Sequence, residues 1–305
     1  MSSTIASTGT SSAPDHSSSY PPVTSVAVIG FGTMGSGIAH VCALAGLSVH
    51  VVEPSESVIV RDMKQIDGYL QRGVAKGRMT DDERVATLAR ITPGTSLSHA
   101  YSADIVIEAA PERIDLKTEI FRTLDANTPK TTILATNTSA LSVTEIAAAA
   151  ELFPERVCGL HFFNPAPVLP LVEVISAERT DPEVAARAFA FVQQIGKEPI
   201  SCGDTPGFVV NRILIPLLND VVRVHEAGTA TAEDIDKGCR FGLNWPIGPL
   251  SLIDLIGLDV HVHASEALFD SFRESRMAPP PSMVRMVKSG KLGRKNGEGF
   301  FCYDK

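Results

Sequence analysis

The stretch "VAVIGFGTMGSGIAH", residues 26–40, joins an apolar strand-like run to a helix-like run through glycines in G-x-G-x-x-G spacing. In a strand–turn–helix unit, Gly30 permits the tight turn, Gly32 lets the backbone approach a pyrophosphate, and Gly35 lets helix and strand pack closely. The free amides at the helix start, at Thr33 and Met34, can then hold phosphates. The stretch therefore predicts a dinucleotide site at the start of an α/β domain.

A second strand-like run, "SVHVVE", ends in Glu53, about 20 residues after the first glycine of the fingerprint. A carboxylate at that position can accept hydrogen bonds from both ribose hydroxyls of an adenosine. It would also repel a 2′-phosphate, so the sequence favours NAD over NADP. The fingerprint alone does not separate NAD from FAD, and glycines that serve only strand–helix packing are the structural alternative.

Strand-like and helix-like runs alternate as far as Gly203, and only helical patterns follow. This order predicts a Rossmann-type, doubly wound, mostly parallel sheet and then an all-helical domain. In the second part, residues 205–228 form one long helical pattern between Pro206 and Gly228. We expect an α/β domain with the dinucleotide site over residues 25–203 and a helical domain over residues 204–305.

The composition bounds the class of protein. The chain has 305 residues, of which 44% are hydrophobic and 20% charged, with a net charge of −8. A negative charge disfavours binding to nucleic acid or to anionic membranes, and no apolar run approaches the ~18 residues of a membrane span. Five scattered cysteines without C-x-x-C, and no Lys or Arg before Arg61, predict a cytoplasmic protein. Residues 1–24, rich in Ser, Thr and Pro, are expected to be a disordered extension.

Two apolar runs in "HFFNPAPVLPLVEVI", residues 161–175, each carry a titratable group. A buried unpaired charge is costly, so we expect His161 and Glu173 to pair across neighbouring strands. A carboxylate on one ring nitrogen fixes the tautomer and makes the other nitrogen a general base, as oxidation of an alcohol requires. From these residues alone, a structural pair and a catalytic pair both remain open.

From about Ser25 to Tyr303 the chain resembles the L-3-hydroxyacyl-CoA dehydrogenase family, including the short bacterial 3-hydroxybutyryl-CoA dehydrogenases. The motifs that carry the resemblance are, in order, "VIGFGTMGSGIA", "EAAPERIDLKTEIFRTLD", "TNTSALSVTEIA", "GLHFFNPAPVLPLVEVI", "DTPGFVVNRIL", "GLNWPIGPLSLIDLIGLD" and "GRKNGEGFFCY". The resemblance implies NAD as cofactor, an acyl-CoA thioester as substrate and a homodimer formed through the helical domain.

The resemblance also implies roles for individual residues. His161 would be the base, Glu173 would orient it, and Asn211 and Ser139 would complete the catalytic set. Ser139 and Asn164 would line both the cofactor and the acyl pocket. Further cofactor contacts would come from Glu112, Lys117 and Lys295. Chemically, Ser139, Asn164 and Asn211 are neutral donors that can polarise the 3-oxygen as charge develops on it.

Two positions depart from the family pattern. Glu53 stands where many relatives carry Asp. Tyr69 falls where some relatives use a Ser to touch the coenzyme A portion, although Lys76 keeps a nearby Lys that suits its phosphates. A carrier-protein thioester therefore stays open as a substrate, as does a free sugar acid of the gulonate type. Retention of the His161, Glu173 and Asn211 set argues against a non-catalytic relative.

His261 and His263 form an H-x-H pair in a helical pattern. Side chains two residues apart on a helix diverge, and no further ligand set accompanies them. We therefore expect no metal site.

Overall fold

The computed structural model describes residues 22–304. Its centre is one eight-stranded sheet with the order β3-β2-β1-β4-β5-β6-β7-β8. The strands are β1 (Ser25–Ile29), β2 (Ser48–Val52), β3 (Ile91–Gly94), β4 (Ile105–Glu108), β5 (Ile133–Thr136), β6 (Val157–Phe162), β7 (Leu171–Ser176) and β8 (Glu198–Gly203).

Neighbouring strands from β3 to β6 are parallel, whereas β7 is antiparallel to β6 and β8 is parallel to β7. The expectation of a Rossmann-type, mostly parallel sheet is therefore confirmed. The helices of this part are α1 (Thr33–Leu44), α2 (Glu56–Ala75), α3 (Asp81–Ala89), α4 (Ile114–Asn127), α5 (Val143–Ala147) and α6 (Pro182–Gln194).

The central strands are buried on both faces, as their unbroken apolar sequences require. One hydrophobic cluster joins one face of the sheet to α1 and α6, and a second joins the other face to α4 and α5. Local signals fix several helix ends. A capping box opens α3, where Thr80 and Glu83 each accept a hydrogen bond from the other's backbone amide.

The part after Gly203 is helical, and its helices are α7 (Val210–Glu226), α8 (Ala232–Gly242), α9 (Pro249–Ile256), α10 (Leu258–Phe272) and α11 (Pro281–Lys288). These helices enclose two smaller hydrophobic clusters of their own. The expected all-helical region is thus confirmed.

Some boundaries differ from the sequence expectations. The long helix begins at Val210 rather than near Pro206, because the preceding backbone turns through Gly207 and Phe208, which have φ of 76° and 48°. The helical sequence pattern on both sides of Gly257 forms two helices, α9 and α10, rather than one. Gly257 separates them because its φ of 103° fits neither helix. Strand β3 and helix α11 were not predicted from the sequence.

The expected disordered extension falls mostly on residues 1–21, which lie outside the described residues. Its last part is held by the fold. The backbone of Val23 exchanges two hydrogen bonds with the side chain of Gln194, and Asp104 accepts from the amide and hydroxyl of Thr24. Among the described residues, these contacts hold Val23 and Thr24 against the fold directly before β1.

Within residues 22–304, no helix is both long and apolar enough to cross a bilayer. The same part of the chain holds no group of three or more His, Cys, Asp or Glu side chains arranged to bind a metal ion. His261 is fully buried in α10, and its Nε2 lies 2.9 Å from Oδ1 of Asn219. Burial lowers the pKa of His261 to about 4, so the ring is a neutral core group.

Candidate active site

A pocket of about 500 Å³ opens where β1, β4, β5 and β6 end, beside helices α7 and α10 of the helical part. This edge includes the point where the strand order reverses between β1 and β4, which is where ligands of open α/β sheets bind. The lining comes from α1, from the ends of three strands and from two helices of the second part: Thr33, Met34, Ala109, Ala110, Glu112, Asn137, Ser139, His161, Phe162, Phe163, Asn164, Asn211 and Val260.

The glycine loop has the geometry that its sequence predicts. Gly30 has a φ of +87°, and a Cβ at Gly35 would lie 1.9 Å from the carbonyl oxygen of Gly30. A Cβ at Gly32, in contrast, would meet nothing within 4 Å, which leaves open space at the start of α1. Gly30 and Gly35 are thus fixed by the fold, whereas Gly32 faces room for a ligand.

The start of α1 favours an anion. Gly32 is the N-cap and offers no side-chain cap, and the first turn contains no acidic residue. Within residues 22–304, the amides of Thr33, Met34 and Gly35 have no hydrogen-bond acceptor. Unsatisfied amides and the positive end of the helix dipole suit a pyrophosphate, so the residues present fit a dinucleotide.

Glu53 lies just beyond β2 and faces the glycine loop. Its Oε2 accepts from the amide of Phe31 at 3.1 Å, and its Oε1 accepts from the amide of Ser55 at 3.1 Å. The carboxylate is half-buried. These contacts place a fixed negative charge next to the loop, where the adenosine ribose of a dinucleotide would lie.

His161 and Glu173 pair directly, as the sequence predicts. They are opposite one another in the antiparallel β6–β7 register, and Nδ1 of His161 lies 2.6 Å from Oε2 of Glu173. A carboxylate only accepts hydrogen bonds, so Nδ1 carries the hydrogen and Nε2 is able to accept a proton. His161 lines the pocket, whereas Glu173 is fully buried behind it.

Glu173 has a second task that the sequence did not suggest. Its Oε1 accepts from the amides of Val209 and Val210 at 3.0 and 2.9 Å. These amides open α7, whose own N-cap supplies no side-chain cap. Burial favours the neutral acid, but the hydrogen bonds from His161, Val210 and Val209 outweigh it and lower the pKa of Glu173. One ionised carboxylate therefore joins His161 to the helix that carries Asn211.

Glu112 organises the turn after β5. Its Oε1 accepts from the hydroxyl of Thr138 at 2.6 Å and from the amides of Ser139 and Ala140 at 2.8 and 3.2 Å. Burial raises the pKa of Glu112, but Lys117 and the hydrogen bonds from this turn outweigh that effect and lower it. Oε2 has only a 3.3 Å contact with Lys117, so it can accept from a ligand hydroxyl.

Lys117 does not lie on the pocket surface. It is 1% exposed, and its ammonium donates to both oxygens of Glu108, at 2.7 and 2.9 Å, and to the carbonyl of Ala110. These three bonds hold the ammonium in place behind Glu112. The expected contact of Lys117 with the cofactor stays a prediction, and its ammonium lies 3.3 Å from Oε2 of the pocket residue Glu112.

Lys295 and Lys76 are also outside the pocket lining. Lys295 pairs with Asp259, the neighbour of the pocket residue Val260. Lys76 follows the last residue of α2 and is exposed. It lies about 10 Å along the helix from Tyr69, at 1.5 Å per residue. Tyr69 lines a small polar side pocket that shares Thr33 and Asn164 with the main one.

Several lining residues were not predicted from the sequence. Asn137 follows β5, and its Oδ1 accepts from the amide of Phe162 at 2.9 Å, which fixes the end of β6 next to His161. A polar residue at the end of a buried strand is the signal that could have identified it. Val260 borders a second, smaller pocket, the apolar annex, which is lined mainly by residues of α7 and α10 such as Ile215, Ala264 and Leu268. These residues carry no such signal, because apolar residues of a helix are also expected in a core.

Models of one family match nearly the whole described chain. The model for the NAD binding domain of 3-hydroxyacyl-CoA dehydrogenase matches residues 25–205, and the model for the C-terminal domain of the same enzyme matches residues 207–303. The first match decides between NAD and FAD, which the glycine fingerprint left open, in favour of NAD.

Individual relatives agree with these models. The chain is 45% identical over 280 residues to a 3-hydroxybutyryl-CoA dehydrogenase of Mycobacterium tuberculosis, covering 91% of this chain and 98% of the relative. It is 39% identical to the human mitochondrial hydroxyacyl-coenzyme A dehydrogenase, covering 91% and 90%. The crystal structure of (S)-3-hydroxybutyryl-CoA dehydrogenase from Ralstonia eutropha superposes with a TM-score of 0.89 at 41% identity, covering 93% and 100%.

The position of Glu53 predicts a preference between coenzymes that binding alone can measure. We expect the Kd for NADH to be at least about tenfold lower than that for NADPH, a difference of about 1.4 kcal/mol. Glu53→Ala should weaken NADH binding and narrow this ratio, because it removes both the ribose acceptor and the repelling charge. Glu56→Ala, which removes an exposed carboxylate in α2, is the matched control and should leave the ratio unchanged. Equal affinities of the wild-type protein for the two coenzymes would contradict the assignment.

Proposed function

The chain belongs to the 3-hydroxyacyl-CoA dehydrogenase family, and from that membership and the pocket we propose that it is an NAD-dependent oxidoreductase. Its reaction would interconvert an (S)-3-hydroxyacyl-CoA and the corresponding 3-oxoacyl-CoA. The names of the most similar relatives support a short acyl chain such as 3-hydroxybutyryl. The observation that carries the proposal is the His161–Glu173 pair at the wall of the pocket that adjoins the glycine loop.

In the oxidative direction, His161 accepts the proton of the 3-hydroxyl on Nε2. NAD, held by the glycine loop and Glu53, would supply the acceptor for the hydride on C3, so that the alcohol and NAD⁺ would give the 3-oxoacyl thioester, NADH and a proton. Glu173 holds the ring in the required tautomer and stabilises the imidazolium that forms. In the reverse direction the imidazolium returns this proton to the 3-oxygen.

Neutral donors surround His161. Asn211, Asn164 and Ser139 line the same pocket. Amide and hydroxyl hydrogens directed at the 3-oxygen stabilise the negative charge that develops on it during hydride transfer. Asn211 comes from α7 and His161 from β6, so the reaction would take place between the sheet and the helical part. We assign Ser139, Asn164 and Asn211 to substrate contacts, and Glu112 to the nicotinamide end of the cofactor.

An apolar annex supports a short chain as substrate. It has a volume of about 90 Å³ and adjoins the main pocket at Ser139, Asn211 and Val260. A cavity of ~150 Å³ accommodates benzene, so an annex of this size suits a few carbon atoms. The side pocket at Tyr69 adjoins the main pocket at other residues, Thr33 and Asn164, and we assign the thioester carrier to it.

The activity test uses acetoacetyl-CoA with NADH, followed by loss of NADH absorbance. We expect His161→Gln to lower kcat by about 10²- to 10⁴-fold while NADH still binds, since contributions of general acid–base catalysis are of that size. His50→Gln, on β2 away from the pocket, is the matched control and should keep its kcat. Thermal melts of each variant separate a chemical effect from a loss of folded protein. A well-folded His161→Gln protein with wild-type kcat would refute the role of His161.

The same assay separates the alternatives for the substrate. Free acetoacetate, acetoacetyl carrier protein and the 3-oxo form of a gulonate-type sugar acid, each of which can accept a hydride, replace the CoA thioester at equal concentration. The proposal expects kcat/KM to be highest for the CoA thioester. If only the free sugar acid were turned over, the substrate would be a sugar acid and the proposed CoA thioester would be refuted.

We also propose a homodimer formed through the helical part. Ile213, Leu217 and Val224 lie on one face of α7 and are 64%, 36% and 44% exposed. A row of exposed apolar side chains at helical spacing marks a contact surface. The twofold assembly of a second copy of this chain would bury this row, as the resemblance to the family implies.

Sedimentation velocity tests the dimer at micromolar concentration. The wild-type protein should sediment as a dimer, and Ile213→Asp should shift it towards monomer because a carboxylate in the apolar contact is costly to bury. Val85→Asp changes an equally exposed apolar residue on α3, in the NAD-binding part, and should remain dimeric. A monomeric wild-type protein would refute this proposal without affecting the proposed activity.

The net charge of −8 and the five free thiols support two further parts of the proposal, a cytoplasmic location and no nucleic acid partner.

A further inference from the structure

Lys197 is a buried cation without a carboxylate partner. It is 9% exposed, and no Asp or Glu among the described residues forms an ion pair with it. Its ammonium donates instead to two backbone carbonyls, that of Ala166 at 2.6 Å and that of Leu169 at 2.9 Å. A buried charge is costly, so these two bonds need an explanation.

The surroundings of Lys197 lower the cost of its charge. The residue follows α6, and it shares a surface cavity with Gln194 and Ile195 from the end of α6 and with Leu44 and Ala45 from the end of α1. Neither helix has a basic residue in its last turn. Carbonyls at the C-terminal end of a helix favour a positive charge nearby, so a position in the cavity that both helix ends line offsets part of the cost of burying Lys197.

The carbonyls that Lys197 holds belong to the turn between β6 and β7. This turn starts directly after Phe163 and Asn164, which line the main pocket. Inside the turn, the amides of Val168 and Leu169 donate to the carbonyl of Pro165. Val168 is 69% exposed, so packing contributes little at the tip of the turn.

The base of the turn is pressed against α1. A Cβ at Gly37 would lie 3.2 Å from Cβ of Ala166 and 3.3 Å from Cδ of Pro167. This close approach fixes one side of the turn, and Lys197 fixes the other. Asn164 and Phe163 extend from this clamped turn towards the pocket, with the ring of Phe163 centred 4.5 Å from that of His161.

We infer that Lys197 is a positioning residue, which holds Asn164 and Phe163 in place against the substrate by binding the carbonyls of the turn that follows them. The inference rests on the proposed function for its kinetic consequence, but not for its structural one. Lys197 touches neither substrate nor cofactor. Its effect passes through the backbone from Ala166 to Asn164.

The test is Lys197→Met, which keeps the length of the side chain and removes the charge. The substitution removes the cost of burying the charge but leaves the carbonyls of Ala166 and Leu169 without this donor, so its two effects on stability oppose each other. We therefore expect an almost unchanged melting temperature, a KM for acetoacetyl-CoA raised at least about fivefold and a Kd for NADH within about twofold of the wild-type value, because the glycine loop is untouched. A purely structural residue would instead lower the melting temperature and leave the KM of the folded protein unchanged.

Two control variants sharpen the comparison. Lys130→Met removes an exposed Lys and should change nothing. Arg156→Met removes a different buried cation, one that is paired with Asp125 far from the pocket, and should lower the melting temperature without raising KM.

Hydrogen exchange gives a readout that does not depend on activity. In Lys197→Met the amides of Val168 and Leu169 should exchange at least about tenfold faster than in the wild type, because the turn loses its second attachment. Unchanged exchange together with an unchanged KM would overturn the inference. A wild-type protein without activity on acetoacetyl-CoA would refute the proposed function, while the exchange result would still decide the role of Lys197.

Discussion

The carboxylate of Glu173 holds together the two halves of the site. One oxygen binds Nδ1 of His161 on the neighbouring strand, and the other binds the amides of Val209 and Val210 at the start of α7. The carboxylate is fully buried, and these three donors satisfy its hydrogen-bonding capacity and stabilise its charge. The orientation of the proposed base and the position of Asn211 consequently depend on one group.

Carboxylates from elsewhere in the chain cap other helices in the same way. Asp204 accepts from the amides of Val143 and Thr144 at the start of α5, and Asp236 accepts from those of Leu250 and Ser251 at the start of α9. Helix α1 differs, because no side chain among the described residues caps it. The fold thus supplies anions to several helix starts and leaves the amides of α1 for the phosphates of a dinucleotide.

Much of this site was predictable from the sequence because its signals are local. The glycine spacing, Glu53 at the end of a strand and the two titratable groups in adjacent apolar runs each lie within one or two neighbouring elements, and the pairing of His161 with Glu173 is confirmed. The contacts of Glu173 with α7 and of Lys197 with the β6–β7 turn join segments that are distant in sequence, and no local pattern announces them. Strand β3 was missed because its sequence, "ITPG", contains the two residues least typical of a strand. The burial of Lys117 is likewise a result of packing, which residue type does not reveal.

The most direct test of the account compares Glu173→Ala with His161→Gln by amide hydrogen exchange and by kcat. If one carboxylate serves both parts of the site, Glu173→Ala should lower kcat and also speed exchange at Val209 and Val210 by at least about tenfold, which corresponds to about 1.4 kcal/mol. His161→Gln should lower kcat alone, because the carboxylate would still bind both amides. The account would be contradicted if Glu173→Ala lowered kcat while the amides of Val209 and Val210 exchanged as slowly as in the wild-type protein.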